Sequence, residues 1–171
     1  MQDELPEAVI RPATVDDADA IARVHLTSWR EAYADVVDPA TLDALDEAAR
    51  TQTWRETIET RRGSVLVADL EGEIVGFAHV GASRDEDAER GTHEIYAIFL
   101  EPSAWGHGVA RELMRSLLAD LPEADPVTLW ALADNERARH FYRRHGFSPD
   151  GVERMETAGE SSYLEVRYRR G

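Results

Sequence analysis

The feature that most constrains the fold of this chain is an apolar strand that runs through a glycine turn into an amphipathic helix. The segment reads Ile95-Tyr96-Ala97-Ile98-Phe99-Leu100-Glu101-Pro102-Ser103-Ala104-Trp105-Gly106-His107-Gly108-Val109-Ala110-Arg111. Gly106 and Gly108 lack a Cβ atom, so the backbone there can adopt positive φ and a ligand can approach it closely. The first N–H groups of the following helix have no intrahelical partner and suit a diphosphate. Such turns also occur as ordinary helix entries, so this segment alone leaves both interpretations open.

A second segment downstream strengthens the interpretation as a cofactor site. It reads Asn135-Glu136-Arg137-Ala138-Arg139-His140-Phe141-Tyr142-Arg143-Arg144-His145-Gly146-Phe147. The two segments together resemble the GNAT superfamily of N-acetyltransferases, over most of the chain. Gly108 and Ala110 occupy the small-residue positions of that family's pyrophosphate loop, Q/R-x-x-G-x-G/A, and the second segment matches N-x-x-A-x-x-F-Y-x-x-x-G-F at every fixed position. One position departs from the pattern, because Trp105 stands where the family has Gln or Arg.

The resemblance implies one domain over residues 1–171 with an α/β (α+β) fold. The expected architecture is a mixed, mostly antiparallel central sheet flanked by helices, as in GNAT-like acyl-CoA N-acyltransferases. It also implies that the sheet splays between the strand of Ile98 and the strand of Leu129, leaving a slot for the pantetheine arm. The implied activity is transfer of an acetyl group from acetyl-CoA to a primary amine by direct attack in a ternary complex. The alternative is a non-catalytic module that binds acyl-CoA.

Several site residues follow from the resemblance. Tyr142 stands where the family's tyrosine contacts the CoA sulfur, so a catalytic role as proton donor is expected; a helix tyrosine packed on the sheet is the alternative. Asn135 is expected to bind the pantetheine arm, or else to cap its helix. The full set of expected cofactor-binding residues is Ile98, Phe99, Leu100, Gly106, His107, Gly108, Val109, Ala110, Arg111, Asn135 and Tyr142.

The base that takes a proton from the amine is expected on the central strand. Glu94 lies at the start of that strand, and strict alternation puts residues 94, 96 and 98 on one face and residues 93, 95 and 97 on the other. Family members often use a glutamate from this strand, directly or through water. A surface carboxylate beside an exposed loop is the alternative interpretation of Glu94. His93 is a poorer candidate because alternation directs it to the opposite face.

Composition excludes several classes of partner. The balance of 19 Lys+Arg against 34 Asp+Glu gives a net charge of −15, which argues against non-specific nucleic-acid binding. The chain has no cysteine and its six histidines are scattered, so neither a disulfide nor a metal site is expected. No apolar run approaches the ~18 residues of a membrane span, and Met1-Gln2-Asp3-Glu4 does not resemble a signal peptide. A cytoplasmic monomer or homodimer is expected, with a small-molecule or peptide amine as acceptor.

Two further segments carry interpretations that the structure can decide. Residues 21–32 have helical spacing with His25 and Trp29 on the apolar face. These two side chains could line an acceptor pocket, although a packed core face is the favoured interpretation. The charged run from Arg84 to Arg90 predicts a solvated loop that could reach over the acceptor entrance.

Overall fold

A single seven-stranded sheet runs through the chain in the computed structural model, which describes residues 6–171. The strand order is β1-β2-β3-β4-β5-β7-β6, and every neighbouring pair is antiparallel except β4 and β5. The strands are β1 (Val9–Pro12), β2 (Ser64–Leu70), β3 (Glu73–Ala82), β4 (His93–Leu100), β5 (Val127–Leu132), β6 (Ser148–Ala158) and β7 (Ser161–Arg170). The mixed, mostly antiparallel sheet confirms the predicted fold class. The segment Met1-Gln2-Asp3-Glu4 lies outside the described residues, so the single domain over 1–171 stays a prediction.

Helices cover both faces of this sheet. They are α1 (Ala18–Tyr33), α2 (Pro39–Asp43), α3 (Glu47–Glu59), α4 (Val109–Ala119) and α5 (Glu136–Arg144). α1 and α3 pack on one face of the sheet, over a buried cluster that contains Ile21, Trp54 and Phe77. α4 and α5 lie on the other face, where Leu113 and Phe147 belong to a larger apolar cluster. Within residues 6–171, no helix is both long enough and apolar enough to span a bilayer.

The predicted helix face around His25 belongs to the core. The imidazole stacks on Phe99 at 5.5 Å between ring centroids and accepts a hydrogen bond at Nδ1 from Trp54 Nε1, at 3.2 Å. Burial lowers the pKa of His25 to about 4, so the ring is neutral at physiological pH. Trp29 stacks on Tyr33 at 4.0 Å. The favoured interpretation of a packed face is therefore confirmed, and neither side chain lines the cleft described below.

The junction between β4 and β5 is short. Three residue pairs join the two strands, from His93↔Val127 to Ile95↔Leu129, after which the strands diverge. Beyond this point β4 keeps its partner β3 on one edge, and β5 keeps β7. The facing edges of the two strands are left open, which confirms the predicted splay and produces a slot that passes through the sheet.

A β-bulge at Tyr96 changes the faces of the central strand. Val80 pairs with Ile95 and His79 pairs with Ala97, so Tyr96 is an extra residue in β4. Ile95 and Ile98 consequently lie on the same side, in the cluster beneath α4, whereas strict alternation would separate them. The predicted grouping of residues 94, 96 and 98 on one face was therefore wrong for residue 98, because alternation fails at a bulge. Bulges are common beside binding sites for this reason: they redirect side chains.

Candidate active site

The slot between β4 and β5 opens into a cleft of about 1050 Å³. It is lined by the divergent parts of β4 and β5, the end of α1, the glycine turn, the start of α4, and α5. A cleft of this size can hold a drug-sized ligand or larger. It is lined by ten of the eleven expected cofactor-binding residues, namely Ile98, Phe99, Leu100, Gly106, Gly108, Val109, Ala110, Arg111, Asn135 and Tyr142.

The glycine turn has the backbone geometry that an anion site requires. Gly106 has φ +81° and Gly108 has φ +78°, in the left-handed region that side chains with a Cβ rarely adopt. Apart from the adjacent residues, no protein atom lies within 4 Å of the place where a Cβ would stand at either glycine. Gly108 is the N-cap of α4 and provides no side-chain cap, so the first N–H groups of this helix are open to a ligand. His107 is exposed and does not line the cleft, which leaves its main chain as its expected contact.

α5 places two predicted residues on the cleft wall. Asn135 caps the helix, since its Oδ1 accepts a hydrogen bond from the N–H of Ala138 at 3.1 Å. The capping interpretation of Asn135 is thus confirmed, and its amide NH₂ group remains a donor on the cleft side. Two turns later, Tyr142 packs near Phe147 and Tyr168, at 6.4 and 6.1 Å between ring centroids. Asn135 therefore caps α5 and also lines the cleft. Tyr142 packs its ring against neighbouring aromatic side chains and also lines the cleft.

The Tyr142 hydroxyl suits a proton donor. The residue lines the cleft, and none of the side-chain hydrogen bonds found among residues 6–171 occupies its hydroxyl. Burial raises the pKa of Tyr142 to about 12. Because this value lies far above neutrality, the phenol stays protonated over the whole physiological range. It can therefore donate a hydrogen bond or a proton to a developing thiolate.

Charges are divided between the walls of the cleft. The arginines of the cleft lie on α4 and α5 and are Arg111, Arg115, Arg137 and Arg144. The acidic side chains lie at the end of α1 and before α5 and are Glu31, Asp35 and Asp134. A basic wall favours phosphate groups beside the glycine turn, although the whole chain carries −15. The carboxylates at the end of α1, Glu31 and Asp35, favour a cation.

Trp105, the residue that differs from the family motif, makes a contact that the sequence did not predict. Its indole ring stacks against the guanidinium of Arg137, whose Cζ lies 3.2 Å from the ring centroid. Trp105 belongs to the glycine turn and Arg137 to the first turn of α5, so the pair joins these two walls of the cleft. Arginine is well suited to this contact, because its planar group can stack on a ring while its N–H edges remain available.

Glu94 lies at the start of β4, as predicted, and its side chain is buried. Its carboxylate is 2% exposed and is not part of the cleft wall. One oxygen accepts a hydrogen bond from the backbone N–H of Arg84 at 2.9 Å, and the other pairs with the Arg84 guanidinium at 2.7 Å. Both oxygens therefore hold the loop that precedes β4, and the catalytic role of Glu94 stays a prediction. Its surface alternative was wrong, because the group is buried. His93 is engaged elsewhere, by Asp125 at 2.9 Å.

We expect Glu94→Gln to lower stability without changing the pH dependence of the reaction. The substitution removes the charge that pairs with Arg84 while keeping most of the shape, so a loss of about 1–2 kcal/mol in the free energy of unfolding is expected. Urea unfolding measures this loss, and a pH–rate profile tests the chemistry. A rate deficit that is largest at low pH and disappears as pH rises would support Glu94 as the base.

The charged loop before β4 is held by hydrogen bonds to residues of the sheet, although it is also solvated. Asp87 binds the buried Arg167 through two hydrogen bonds of 2.6 and 2.8 Å, and Asp85 accepts a hydrogen bond from Trp130 Nε1 at 3.0 Å. Trp130 lines the cleft on β5, and so does Tyr33 at the end of α1. Sequence reasoning missed both residues. The sequence around Trp130 is typical of a buried core strand. Only the point at which β5 diverges from β4 shows that Trp130 lines the cleft.

Comparison with known proteins agrees with this geometry. Residues 25–147 match the acetyltransferase (GNAT) family. The chain is 28% identical to an uncharacterized N-acetyltransferase of Mycobacterium tuberculosis over 88% of this chain and 97% of that protein. It is 25% identical to the L-amino acid N-acetyltransferase AaaT of Escherichia coli over 96% and 97%. The PaiA N-acetyltransferase of Thermoplasma acidophilum, solved in complex with coenzyme A, shares the fold with a TM-score of 0.72 at 15% identity, over 95% of this chain and 98% of that one.

Proposed function

We propose that this chain, which belongs to the acetyltransferase (GNAT) family, transfers the acetyl group of acetyl-CoA to a primary amine by direct attack within a ternary complex. As a member of that family it is an acetyl-CoA-dependent N-acetyltransferase. One observation carries the proposal: a single continuous cleft runs from the open glycine turn, between the splayed strands, to the hydroxyl of Tyr142. That path suits a ligand with a diphosphate at one end and a reactive thioester at the other.

The open backbone edges support this orientation. Beyond Ile95, the edge of β4 that faces β5 has no strand partner within the described residues, and its amide groups can pair with the amides of the pantetheine arm. The Asn135 amide adds a donor on the α5 side of the arm. The diphosphate would lie on the N–H groups at Gly108 and the first turn of α4, which is an arrangement that helix N-termini favour.

The chemistry requires a sequence of proton movements. The acceptor must lose the proton of its ammonium group, after which its nitrogen forms a bond to the acetyl carbon and the carbon–sulfur bond breaks. Tyr142 then supplies a proton or a strong hydrogen bond to the departing sulfur, and the second proton released by the attacking nitrogen restores the phenol, directly or through water. The ammonium proton would leave through water, since Glu94 is engaged by Arg84 and lies outside the cleft. The chain has no cysteine, so a covalent acetyl-cysteine step is excluded.

Release of free CoA thiol from acetyl-CoA in the presence of a panel of amines tests the proposal. All 19 Lys+Arg residues of the chain are arginines, so no lysine side chain of the enzyme competes as an acceptor. Thiol release that depends on the added amine, with intersecting lines in two-substrate initial-rate plots, is expected for a ternary complex. Parallel lines would indicate a covalent intermediate. CoA affinity without turnover on any amine would favour the alternative of a non-catalytic acyl-CoA-binding module.

The acidic wall at the end of α1 favours a positively charged acceptor over a neutral one, and the amine panel covers both kinds. Assembly as a monomer or homodimer and a cytoplasmic location stay predictions, which light scattering and cell fractionation would test.

A further inference from the structure

We propose that Arg137, whose guanidinium lies over the ring of Trp105, binds the diphosphate of CoA and replaces the polar contact that the first residue of the loop motif would otherwise supply. The proposal rests on the function proposed above and adds a specific ligand to its cofactor site. Trp105 cannot accept a hydrogen bond, and its only polar donor is the indole N–H. The position therefore lacks the polar side chain that the motif has there, and the guanidinium over its ring supplies both donors and a positive charge.

The backbone fixes Trp105 at the edge of the cleft. A single 3₁₀ turn, Pro102–Ala104, precedes it, and the N–H of Trp105 donates to the carbonyl of Pro102 at 3.1 Å. Gly106 follows directly, so the indole is attached to the same turn whose N–H groups face the ligand. The ring is 37% exposed and lines the cleft. The apolar face of the Trp105 ring lies at the edge of the cleft, and the guanidinium of Arg137 covers it.

Arg137 is free to bind an anion. No carboxylate among residues 6–171 forms an ion pair with it, and no hydrogen bond from its guanidinium was found there. The nearest acidic influence comes from Glu31 on α1, which is not within ion-pair distance. By contrast, Arg139 on the same helix is bound to the Tyr168 hydroxyl at 2.8 Å and to the carbonyl of Ala133 at 2.9 Å.

The location of Arg137 within α5 also requires an explanation. It is the second residue of the helix, where the macrodipole disfavours a cation, whereas Arg143 and Arg144 in the last turn are favoured. Helix stability therefore gives no reason for an arginine at this position. Its side chain instead reaches the glycine turn from α5, so that a diphosphate on the turn would be contacted by both segments.

Calorimetric titration of Arg137→Gln with three ligands tests the proposal. For CoA and for 3′-dephospho-CoA we expect the same loss of affinity, about tenfold, as for one charge-assisted hydrogen-bonded contact. Pantetheine lacks the diphosphate, and its binding, followed by NMR chemical-shift changes, should be unaffected. The matched control is Arg143→Gln, which removes the same charge from an exposed position outside the cleft and should bind CoA like the unchanged protein.

Each other outcome overturns the assignment in a distinct way. A loss for CoA that disappears with 3′-dephospho-CoA would place Arg137 on the 3′-phosphate. An equal loss for pantetheine would mean that the residue only shapes the cleft, and unchanged CoA affinity would mean that it does not bind the cofactor. If the unchanged protein itself failed to bind CoA, the proposed function would fall together with this inference.

A double-mutant cycle tests the part played by the indole ring. Trp105→Ala should weaken CoA binding about threefold to tenfold, because the guanidinium loses its support. In the double variant with Arg137→Gln, the loss should be close to that of Arg137→Gln alone, since both changes remove one contact. Fully additive losses would show that Trp105 and Arg137 act independently, which contradicts the proposal.

Discussion

Gly108→Val should weaken CoA binding about a hundredfold while the protein remains folded. The substitution puts a branched side chain into open space beside the glycine turn and disfavours the left-handed backbone at φ +78°. Loss of about two charge-assisted hydrogen bonds from backbone N–H groups to the diphosphate, at the lower end of the usual range, accounts for an effect of this size. Calorimetric titration with CoA measures it directly.

The chain offers a matched control for this experiment. Gly72, in the turn between β2 and β3, has φ +90° and likewise has open space, beyond its adjacent residues, where a Cβ would stand, but it does not line the cleft. Gly72→Val should therefore show a similar backbone penalty with normal CoA affinity. Equal losses of affinity in the two variants would trace the effect to general destabilisation. Normal CoA binding by Gly108→Val would mean that the turn is an ordinary helix entry.

The second large effect is expected for Tyr142→Phe, which should lower kcat about a hundredfold and leave CoA affinity nearly unchanged. The ring still packs near Phe147 and Tyr168, so the cleft keeps its shape. The lost hydroxyl is the proposed donor to the departing sulfur, and general acid catalysis contributes about a hundredfold or more. Steady-state rates on the best amine of the panel, together with titration of CoA, separate the two quantities.

The pH dependence gives this prediction a second readout. Because burial raises the pKa of Tyr142 to about 12, the donor form is fully present below that value and is lost only as pH rises through it. Ionisation of Tyr142 should therefore cause no decline in wild-type kcat between pH 7 and 10. Tyr163→Phe is the control, since Tyr163 is half-buried on β7, packs against Tyr33 and does not line the cleft. A Tyr142→Phe enzyme with normal kcat would make the residue structural.

The parts of the site that could be predicted are those written in continuous sequence. The turn around Gly106 and Gly108 and the cap at Asn135 depend on φ preferences and on hydrogen bonds between residues three or four apart, so their signals are local. The bulge at Tyr96 gave no such signal, because it depends on the register with β3. The strict alternation assumed for β4 consequently misassigned Ile98.

Contacts between distant segments likewise could not be predicted from the sequence. Glu94 has the residue type and strand position of a base, and only the approach of Arg84 from the preceding loop decides that it is a buried partner. In the sequence, Trp105 is only a departure from the motif. In the fold, Arg137 of α5 contacts its ring. In both cases the type of residue limited the possible roles, and the partner that selected one of them lies ten or more positions away in the chain.

The three-pair junction between β4 and β5 is the shortest ladder of the seven-stranded sheet, so the two halves of the sheet are joined over only part of their length. The pantetheine arm, with its two amides, would behave as a short foreign strand inserted where the chain has none, and would extend the hydrogen-bonded ladder across the gap. The bound pantetheine arm would then stabilise the sheet as well as take part in the reaction. At a CoA concentration of about a hundred times Kd, mass action alone would add roughly 2.7 kcal/mol to the stability of the folded state. An enzyme built in this way is most resistant to unfolding when its acetyl donor is abundant.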